Sequence, residues 1–411
     1  MTMQKFRHWA ICVFLFLCPI IYSTNPTITG REFQERAFQI MAMCIVALFV
    51  GNIWITAFMF LNIFSLLYND FTVGLPQVLN VFLGAVLFMV SRAYFKQNSF
   101  MPYVKVLLWL LALNLIWISL QASGIDPLYL AQDASGKPQI SVTFKDFSGL
   151  FGIKMANGIF LAIMLPMIAV LNLWLVPLMA VPLFFCRASI VALAVFVSMS
   201  FYLFYTVPRK WFLAFLSIGL LAGSIYTYLD LKDDYKTFVS RFPVWHSAVK
   251  YTLQRPLGWG PDSYRSYTKQ KDFLFYGDSN YDHALLIKLD EGKALFQYYE
   301  MDNGKMYKRN TSGIPPDNQL NWWDNPHNEY VQMIFEYGFI GLLILIGFMR
   351  DIWFKFRFSS RSPEIVMLMS ILIVYAVSGI GHFPMHLARL ACLFPVFLGA
   401  LVGRIDSEKM S

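Results

Sequence analysis

The sequence predicts an all-α polytopic membrane protein with about 12 transmembrane helices, and two features of the chain support this. Hydrophobic residues make up 57% of its 411 positions and charged residues only 14%, far from a soluble globular average. Apolar runs long enough to cross a bilayer recur along the chain. They fall at 9–23, 33–50, 53–68, 75–95, 103–120, 149–167, 169–186, 188–206, 210–229, 330–349, 363–381 and 385–403. The stretches 37–68 and 149–206 are nearly continuous, so their division leaves the helix number open by one pair.

Charge in the connecting segments predicts which side of the membrane each segment faces. With the N-terminus inside, the short cytoplasmic connections hold thirteen Lys and Arg residues and the short external ones hold five, as the positive-inside rule requires. The net charge of +8 therefore lies beside anionic membrane lipids, and it indicates no nucleic-acid partner. All five cysteines lie within or at the ends of apolar segments, so neither a disulfide framework nor a cysteine metal site is expected.

The predicted topology divides the chain into three regions. Residues 1–229 hold transmembrane helices 1–9, residues 230–329 form one large loop domain outside the cytoplasm, and residues 330–411 hold helices 10–12 with a short cytoplasmic tail. The loop opens with Arg241-Phe-Pro-Val-Trp245, and apolar residues then recur at helical spacing up to Leu253. This pattern predicts a helix that lies on the membrane surface and stops before the next proline. A small β-meander is predicted next, from three β-prone runs separated by turn residues: 284–289, 294–299 and 305–308.

The segment Pro326-His327-Asn328-Glu-Tyr330 places a titratable histidine where the chain is predicted to re-enter the membrane. Asn325 suits the N-cap and Pro326 the first helical position, so His327 is expected in the first helical turn. The positive end of the helix dipole would there disfavour a second proton on the imidazole. The alternative interpretation is an ordinary surface histidine.

Three further residues are predicted to share the external face with His327: Arg187 between two apolar runs, Arg241, and His382 in the last external turn. Two arginines can hold a diphosphate through forked hydrogen bonds, and a neutral histidine can take a proton from a sugar hydroxyl. For Arg187 the alternative is snorkelling to lipid phosphate. For the histidines it is metal ligation, although their spacing gives no paired ligand motif and no metal is expected.

Glu336 lies nine residues after His327, on nearly the opposite face of the predicted helix. It is expected to bond to neighbouring helices where Gly338 and Gly341 permit close approach. Direct catalysis by Glu336 is the second interpretation.

With these residues the chain resembles the bacterial O-antigen ligase/polymerase family, over residues 149–403. The resemblance rests on four places, of which the last two are fairly specific in combination. They are Gly149-Leu-Phe-Gly152-Ile-Lys154-Met-Ala-Asn157-Gly158, Arg187-Ala-Ser, Arg241-Phe-Pro-Val-Trp245 followed by Pro256-Leu-Gly258-Trp-Gly260, and Pro326-His327-Asn328-Glu-Tyr330 with Glu336-Tyr-Gly338-Phe-Ile-Gly341. Two residues depart from the family pattern: Cys186 stands where the family often has Ser, and Lys154 replaces a commonly seen Asn.

The resemblance implies an O-antigen ligase-like enzyme of the bacterial inner membrane, with a periplasmic active site and neither metal ion nor cofactor. It would move a glycan from undecaprenyl diphosphate to an acceptor hydroxyl, with lipid A-core the favoured acceptor because only one long external loop is obvious. Arg187 and Arg241 are then assigned to the diphosphate and His327 to the acceptor hydroxyl. Candidate supporting residues are Asn328, Glu336, His382 and Lys154. Polysaccharide polymerase and protein O-oligosaccharyltransferase are alternatives within the family, and a lipid-linked glycan transporter is the alternative from another class.

Overall fold

A computed structural model describes residues 53–68, 71–123, 149–151, 154–185, 188–221, 223, 241–264, 298–302, 305–309, 326–382 and 384–408. Within these ranges the chain is mainly helical. Six helices are long and apolar enough to cross a membrane: Pro76–Phe95, Met101–Ala122, Lys154–Leu171, Ser189–Thr206, Glu329–Arg357 and Pro363–Gly381. The class of helical membrane protein is therefore confirmed at this level. The predicted runs 9–23 and 33–50 lie outside the described residues, and the number of twelve spans stays a prediction.

The described elements follow the chain in this order. The helices are α1 (Ile53–Tyr68), α2 (Phe71–Phe95), α3 (Met101–Ala122), α4 (Lys154–Leu171), α5 (Ala180–Phe185), α6 (Ser189–Thr206), α7 (Arg241–Gln254), α8 (Glu329–Arg357), α9 (Pro363–Gly381), α10 (Ala388–Ala391) and α11 (Phe394–Glu408). Two 3₁₀ segments cover Gly149–Phe151 and Leu173–Met179, and residues 209–221 are also helical. The strands are β1 (Tyr298–Asp302) and β2 (Lys305–Arg309).

The two strands pair antiparallel, with Asp302 opposite Lys305. They flank the Asn-Gly dipeptide that predicts a tight turn between β-prone runs. The first predicted strand, at 284–289, lies outside the described residues. The hairpin is thus part of the structure, and the third strand of the meander stays a prediction.

Three predicted transmembrane runs differ from single helices. The run 169–186 holds the end of α4, the 3₁₀ segment Leu173–Met179 and the short α5. Pro177 explains this break, because it removes a backbone donor in the middle of the run. The run 385–403 divides between α10 and α11. In the run 149–167 the helix begins only at Lys154, after Gly149 with a left-handed φ of 54°.

The chain forms two compact units: a larger one of residues 1–55, 80–227 and 348–411, and a smaller one of residues 56–79 and 228–347. In the larger unit α4 and α9 are the most buried membrane-length helices, and α9 packs against α4, α6 and α11. The Ser198 hydroxyl donates to the carbonyl oxygen of Ser370 at 2.9 Å and joins α6 to α9. The boundaries 1–229, 230–329 and 330–411 describe topology across a membrane and stay a prediction.

Charged residues join several helix ends of the larger unit. Arg92 at the end of α2 pairs with Asp406 at 2.6 Å, and Arg404 Nε lies 3.3 Å from Glu364 Oε2. Glu364 also accepts the backbone N–H of Phe100, just before α3. The C-termini of α2 and α11 and the N-termini of α3 and α9 therefore meet at one end. These helix ends are the ones that the sequence assigns to the cytoplasmic face, and that assignment stays a prediction.

Candidate functional site

Helix α7 packs along the first turns of α8 in the smaller unit. The indole N–H of Trp245 donates to the carbonyl oxygen of Pro326 at 2.6 Å, and Thr252 Oγ1 lies 3.4 Å from the carbonyl oxygen of Ile334. The earlier residue of α7 contacts the earlier residue of the 326–334 segment, and the later residue contacts the later one, so α7 and α8 run in the same direction. A small core lies between them, formed by Ala248, Tyr251, Tyr264 and Phe335.

The predicted helix after Arg241 is confirmed, and it ends at Gln254, before the proline that predicts its end. One side of α7 is covered by α8, where Ala248 and Thr252 are fully buried. Leu253 of the predicted apolar stripe is 64% exposed on the protein, as a residue that faces a membrane would be. The placement of α7 on a membrane surface stays a prediction.

His327 lies just before α8, so its predicted place in the first helical turn is wrong. The helix begins at Glu329, and Asn328 is the residue that caps it. The Oδ1 atom of Asn328 accepts the backbone N–H groups of Tyr330 at 3.0 Å and Val331 at 3.1 Å. His327 itself has a φ of 50°, a left-handed conformation that does not continue a helix, so the helix cannot start before it.

The imidazole of His327 is held in its neutral form. Burial, and secondarily the positive charge of Arg241, lower the pKa of this imidazole from its usual 6.5 to about 3. Neutrality agrees with the expectation from the sequence, and burial is its largest cause. The same interaction shows that Arg241, at the start of α7, lies within electrostatic reach of His327. The structure thus brings together two of the predicted site residues.

Helix α8 is broken at Gly338, which has φ 65° and ψ −167°. The break frees two carbonyl oxygens that a regular helix would bond to residues four positions later. The loop after α7 uses this gap. Three backbone hydrogen bonds join the loop to α8: Trp259 N–H to Phe335 O at 2.9 Å, Gly260 N–H to Glu336 O at 2.9 Å, and Phe339 N–H to Pro256 O at 3.2 Å.

Glycine is required on both sides of this junction. A Cβ on Gly338 would overlap the carbonyl oxygen of Pro256, and a Cβ on Gly258 would lie 2.6 Å from the backbone nitrogen of Gly338. Both residues also have positive φ, which disfavours side-chain-bearing residues. The sequence predicts close approach at Gly338, which is correct. The expected partner, a neighbouring helix, is wrong, because the backbone of the 256–260 loop occupies that place.

Glu336 is 1% exposed and carries the polar contact between α2 and α8. Its Oε2 atom accepts from Gln77 Nε2 and its Oε1 atom accepts from Gln332 Nε2, each at 2.9 Å. Gln77 belongs to α2, so Glu336 bonds to a neighbouring helix as the sequence predicts. The carboxylate acts here as a hydrogen-bond acceptor between helices.

The other predicted site residues belong to the larger unit. Arg187 lies outside the described residues, and α6 starts two residues later, at Ser189. The side chain of Ile190 lies 3.1 Å from the place of a Cβ on Gly381, so the start of α6 meets the end of α9. His382 follows at that end and is 4% exposed. The start of α6 and His382 therefore share one end of this unit, and the grouping of Arg187 with His382 stays a prediction.

The segment from Gly149 to Gly158 is held by amide side chains. Asn114 Nδ2 donates to Asn157 Oδ1 at 2.8 Å, and Asn114 Oδ1 accepts the N–H of Leu150 at 2.9 Å. Asn157 is fully buried, so its role is to join α3 and α4. Lys154 is the first residue of α4 and is partly exposed. Within the described ranges, no three His, Cys, Asp or Glu side chains are grouped as metal ligands.

Two residues of the smaller unit contribute to the site without being predicted from the sequence. Trp245 is one, and its position one turn after Arg241 is the signal that both project from one face of α7. Gln77 lies in an apolar run, where a polar side chain indicates a bond to another helix.

No protein-family model matches the chain, and no curated protein matches it. The geometry around His327 is therefore the main support for a functional assignment.

Proposed function

We propose that the protein is a membrane glycosyltransferase of the O-antigen ligase type, acting at the periplasmic face of the bacterial inner membrane. The observation that supports this most is a buried, neutral His327 within electrostatic reach of Arg241, immediately before a membrane-length helix. A neutral imidazole can accept a proton and a guanidinium can hold a phosphate group. Transfer from a lipid-linked diphosphate donor needs both groups beside a membrane.

In the proposed reaction the acceptor hydroxyl attacks the anomeric carbon of the glycan. The bond from that carbon to the diphosphate oxygen breaks, and undecaprenyl diphosphate leaves with the electron pair. His327 takes the proton of the hydroxyl as the new bond forms. Arg241 binds the leaving diphosphate and stabilises its growing negative charge. Arg187 is proposed to share this role, on the strength of the family resemblance.

Lipid A-core is the acceptor that we propose, so the product would be a capped lipopolysaccharide. A polymerase would instead join one glycan repeat to another, and a protein O-oligosaccharyltransferase would modify a protein hydroxyl. The three reactions share the donor and the base, so they differ in the acceptor alone. A lipopolysaccharide gel of a deletion strain separates the first two. Loss of a ligase leaves uncapped core, and loss of a polymerase leaves a single repeat attached.

A transporter for lipid-linked glycans is the second candidate, and the break in α8 favours it. Transporters often use discontinuous membrane helices whose exposed backbone groups meet the substrate. At Gly338, however, the free carbonyl groups of α8 are already bonded by the loop after α7. The break therefore has a structural use, and the transferase remains the proposal that uses both His327 and Arg241.

The test is a transfer assay with purified protein, undecaprenyl-diphosphate-linked glycan and lipid A-core in one detergent phase. We expect His327→Ala to lower turnover by about 10²–10⁴-fold, the usual contribution of a general base, without loss of donor binding. The matched control is His246→Ala, because His246 is an exposed histidine of α7. We expect Arg241→Lys to weaken donor binding and turnover together, since an ammonium group cannot make a forked contact. Near-normal turnover in His327→Ala would remove the proposed base.

A further inference from the structure

Trp245 connects α7 to the turn that carries His327. Its indole N–H donates to the carbonyl oxygen of Pro326 at 2.6 Å. Trp245 also lies one helical turn after Arg241, so both side chains project from the same face of α7. A single hydrogen bond therefore joins the helix of the arginine to the residue immediately before the histidine.

The backbone at His327 needs support of this kind. A φ of 50° is uncommon for a residue with a side chain, and such a conformation persists when the surrounding contacts define it. Asn328 defines the backbone after His327, because its side chain accepts two N–H groups of α8. Trp245 defines the backbone before it. Pro326 is bonded to α7 and Asn328 to α8, so these two helices together set the direction of the imidazole.

We propose that Trp245 is a positioning residue for His327. Its hydrogen bond to Pro326 holds the backbone of Pro326 and His327 against α7 and so keeps the His327 imidazole near Arg241. The kinetic consequence of this role rests on the proposed function. The positioning itself is a property of the folded chain, so it can be measured whether or not the protein transfers a glycan.

The experiment compares Trp245→Phe with Trp259→Phe in the full-length protein. Trp259 is a matched control because its indole N–H also donates to a backbone carbonyl, that of Tyr251, at 3.2 Å. Each variant loses one indole hydrogen bond in the same region, and only the first loss is next to His327. Melting temperatures establish that both variants fold. Trp245→Met, which also lacks the indole N–H and has a flexible side chain without a hydroxyl or amide donor, replaces Trp245→Phe if that variant does not fold.

The first measurement is the rate at which diethyl pyrocarbonate modifies His327, followed by mass spectrometry of the peptide. One net hydrogen bond changes a local opening equilibrium by about five-fold, so we expect modification to be about five-fold faster in Trp245→Phe. The rate should stay at the wild-type value in Trp259→Phe. Wild-type rates in both variants, or equal increases in both, would overturn the proposal, because the effect would then not depend on the contact with Pro326.

The second measurement is turnover against donor concentration. A base displaced by about 1 Å can lose about 10²-fold in rate, so we expect kcat to fall by about 10- to 100-fold in Trp245→Phe with donor KM unchanged. A faster modification of His327 in a protein whose wild type transfers no glycan would refute the proposed function and retain the positioning role. An unchanged kcat together with an unchanged modification rate would refute the positioning role alone.

Discussion

One added methyl group, in Gly338→Ala, is expected to destabilise the junction between the 256–260 loop and α8. In Gly338→Ala the new Cβ would overlap the carbonyl oxygen of Pro256 and lie 2.7 Å from the carbonyl carbon of Leu257. The atoms that it meets are backbone atoms, so no side-chain rotation relieves the overlap. The φ of 65° and ψ of −167° at this position also lie in a region open essentially to glycine alone.

The chain has two ways to respond, and both are costly. If α8 keeps its break, the strained alanine costs about 1–3 kcal/mol in addition to the overlap. If α8 straightens, three backbone hydrogen bonds to the loop are lost, at about 0.5–1.5 kcal/mol each. A regular helix would return about 1 kcal/mol, because alanine is the better helix former. The first response costs about 1–3 kcal/mol and the second about 0.5–3.5 kcal/mol, so we expect a roughly 5- to 140-fold larger opening equilibrium at the junction.

Hydrogen exchange with mass spectrometry measures this opening directly. We expect the peptide holding the amides of Trp259 and Gly260 to lose protection in Gly338→Ala, because those amides bond to α8. The control is Gly84→Ala in α2, where a Cβ would have no neighbour within 4 Å and should leave exchange unchanged. Wild-type protection of the Trp259 and Gly260 amides in a folded Gly338→Ala protein would refute the backbone junction.

Two further predictions concern buried polar groups. Glu336→Ala should lower the melting temperature, because it leaves the buried Gln332 donor without its acceptor at a cost of about 1–3 kcal/mol. A variant that melts normally but loses transfer would instead make Glu336 a catalytic candidate. The stability of the protein should also fall as the pH drops from about 6.5 towards 3, because His327 takes up a proton in that range only after unfolding. Each pH unit costs at most about 1.4 kcal/mol, and melting curves of His327→Ala at pH 7 and pH 5 should lack this part of the pH dependence.

The sequence predicts helices well where one local property decides them. Apolar length alone places α3 and α9 within a few residues of their observed bounds, and the proline after Gln254 marks the end of α7. The start of α8 could not be predicted from local sequence alone. Asn325 and Asn328 both suit an N-cap, and the choice depends on the left-handed turn at His327, which the Trp245 contact supports. That contact joins segments distant in the sequence.

The junction at Gly338 could not be predicted for a similar reason. The glycine itself signals close approach, but its partner is a loop that follows a different helix. Pairing of Gly258 with Gly338 requires knowledge of how α7 and α8 pack, and neither glycine carries that information alone. The sequence predicts a neutral His327 from the helix dipole, whereas burial, the largest cause in the structure, depends on the same packing.

The low pKa of His327 also constrains the proposed mechanism. An imidazole of ordinary basicity is already too weak a base to remove the proton of a sugar hydroxyl before the hydroxyl reacts, and burial lowers the pKa of His327 further, to about 3. A diphosphate bound at Arg241 would offset the positive charge that contributes to this low value, and the larger contribution, burial, would remain. The proton must therefore move as the bond to the anomeric carbon forms, when the attacking oxygen becomes positively charged and acidic. His327 would then stabilise the transition state rather than create an alkoxide, so its correct position matters more than its basicity.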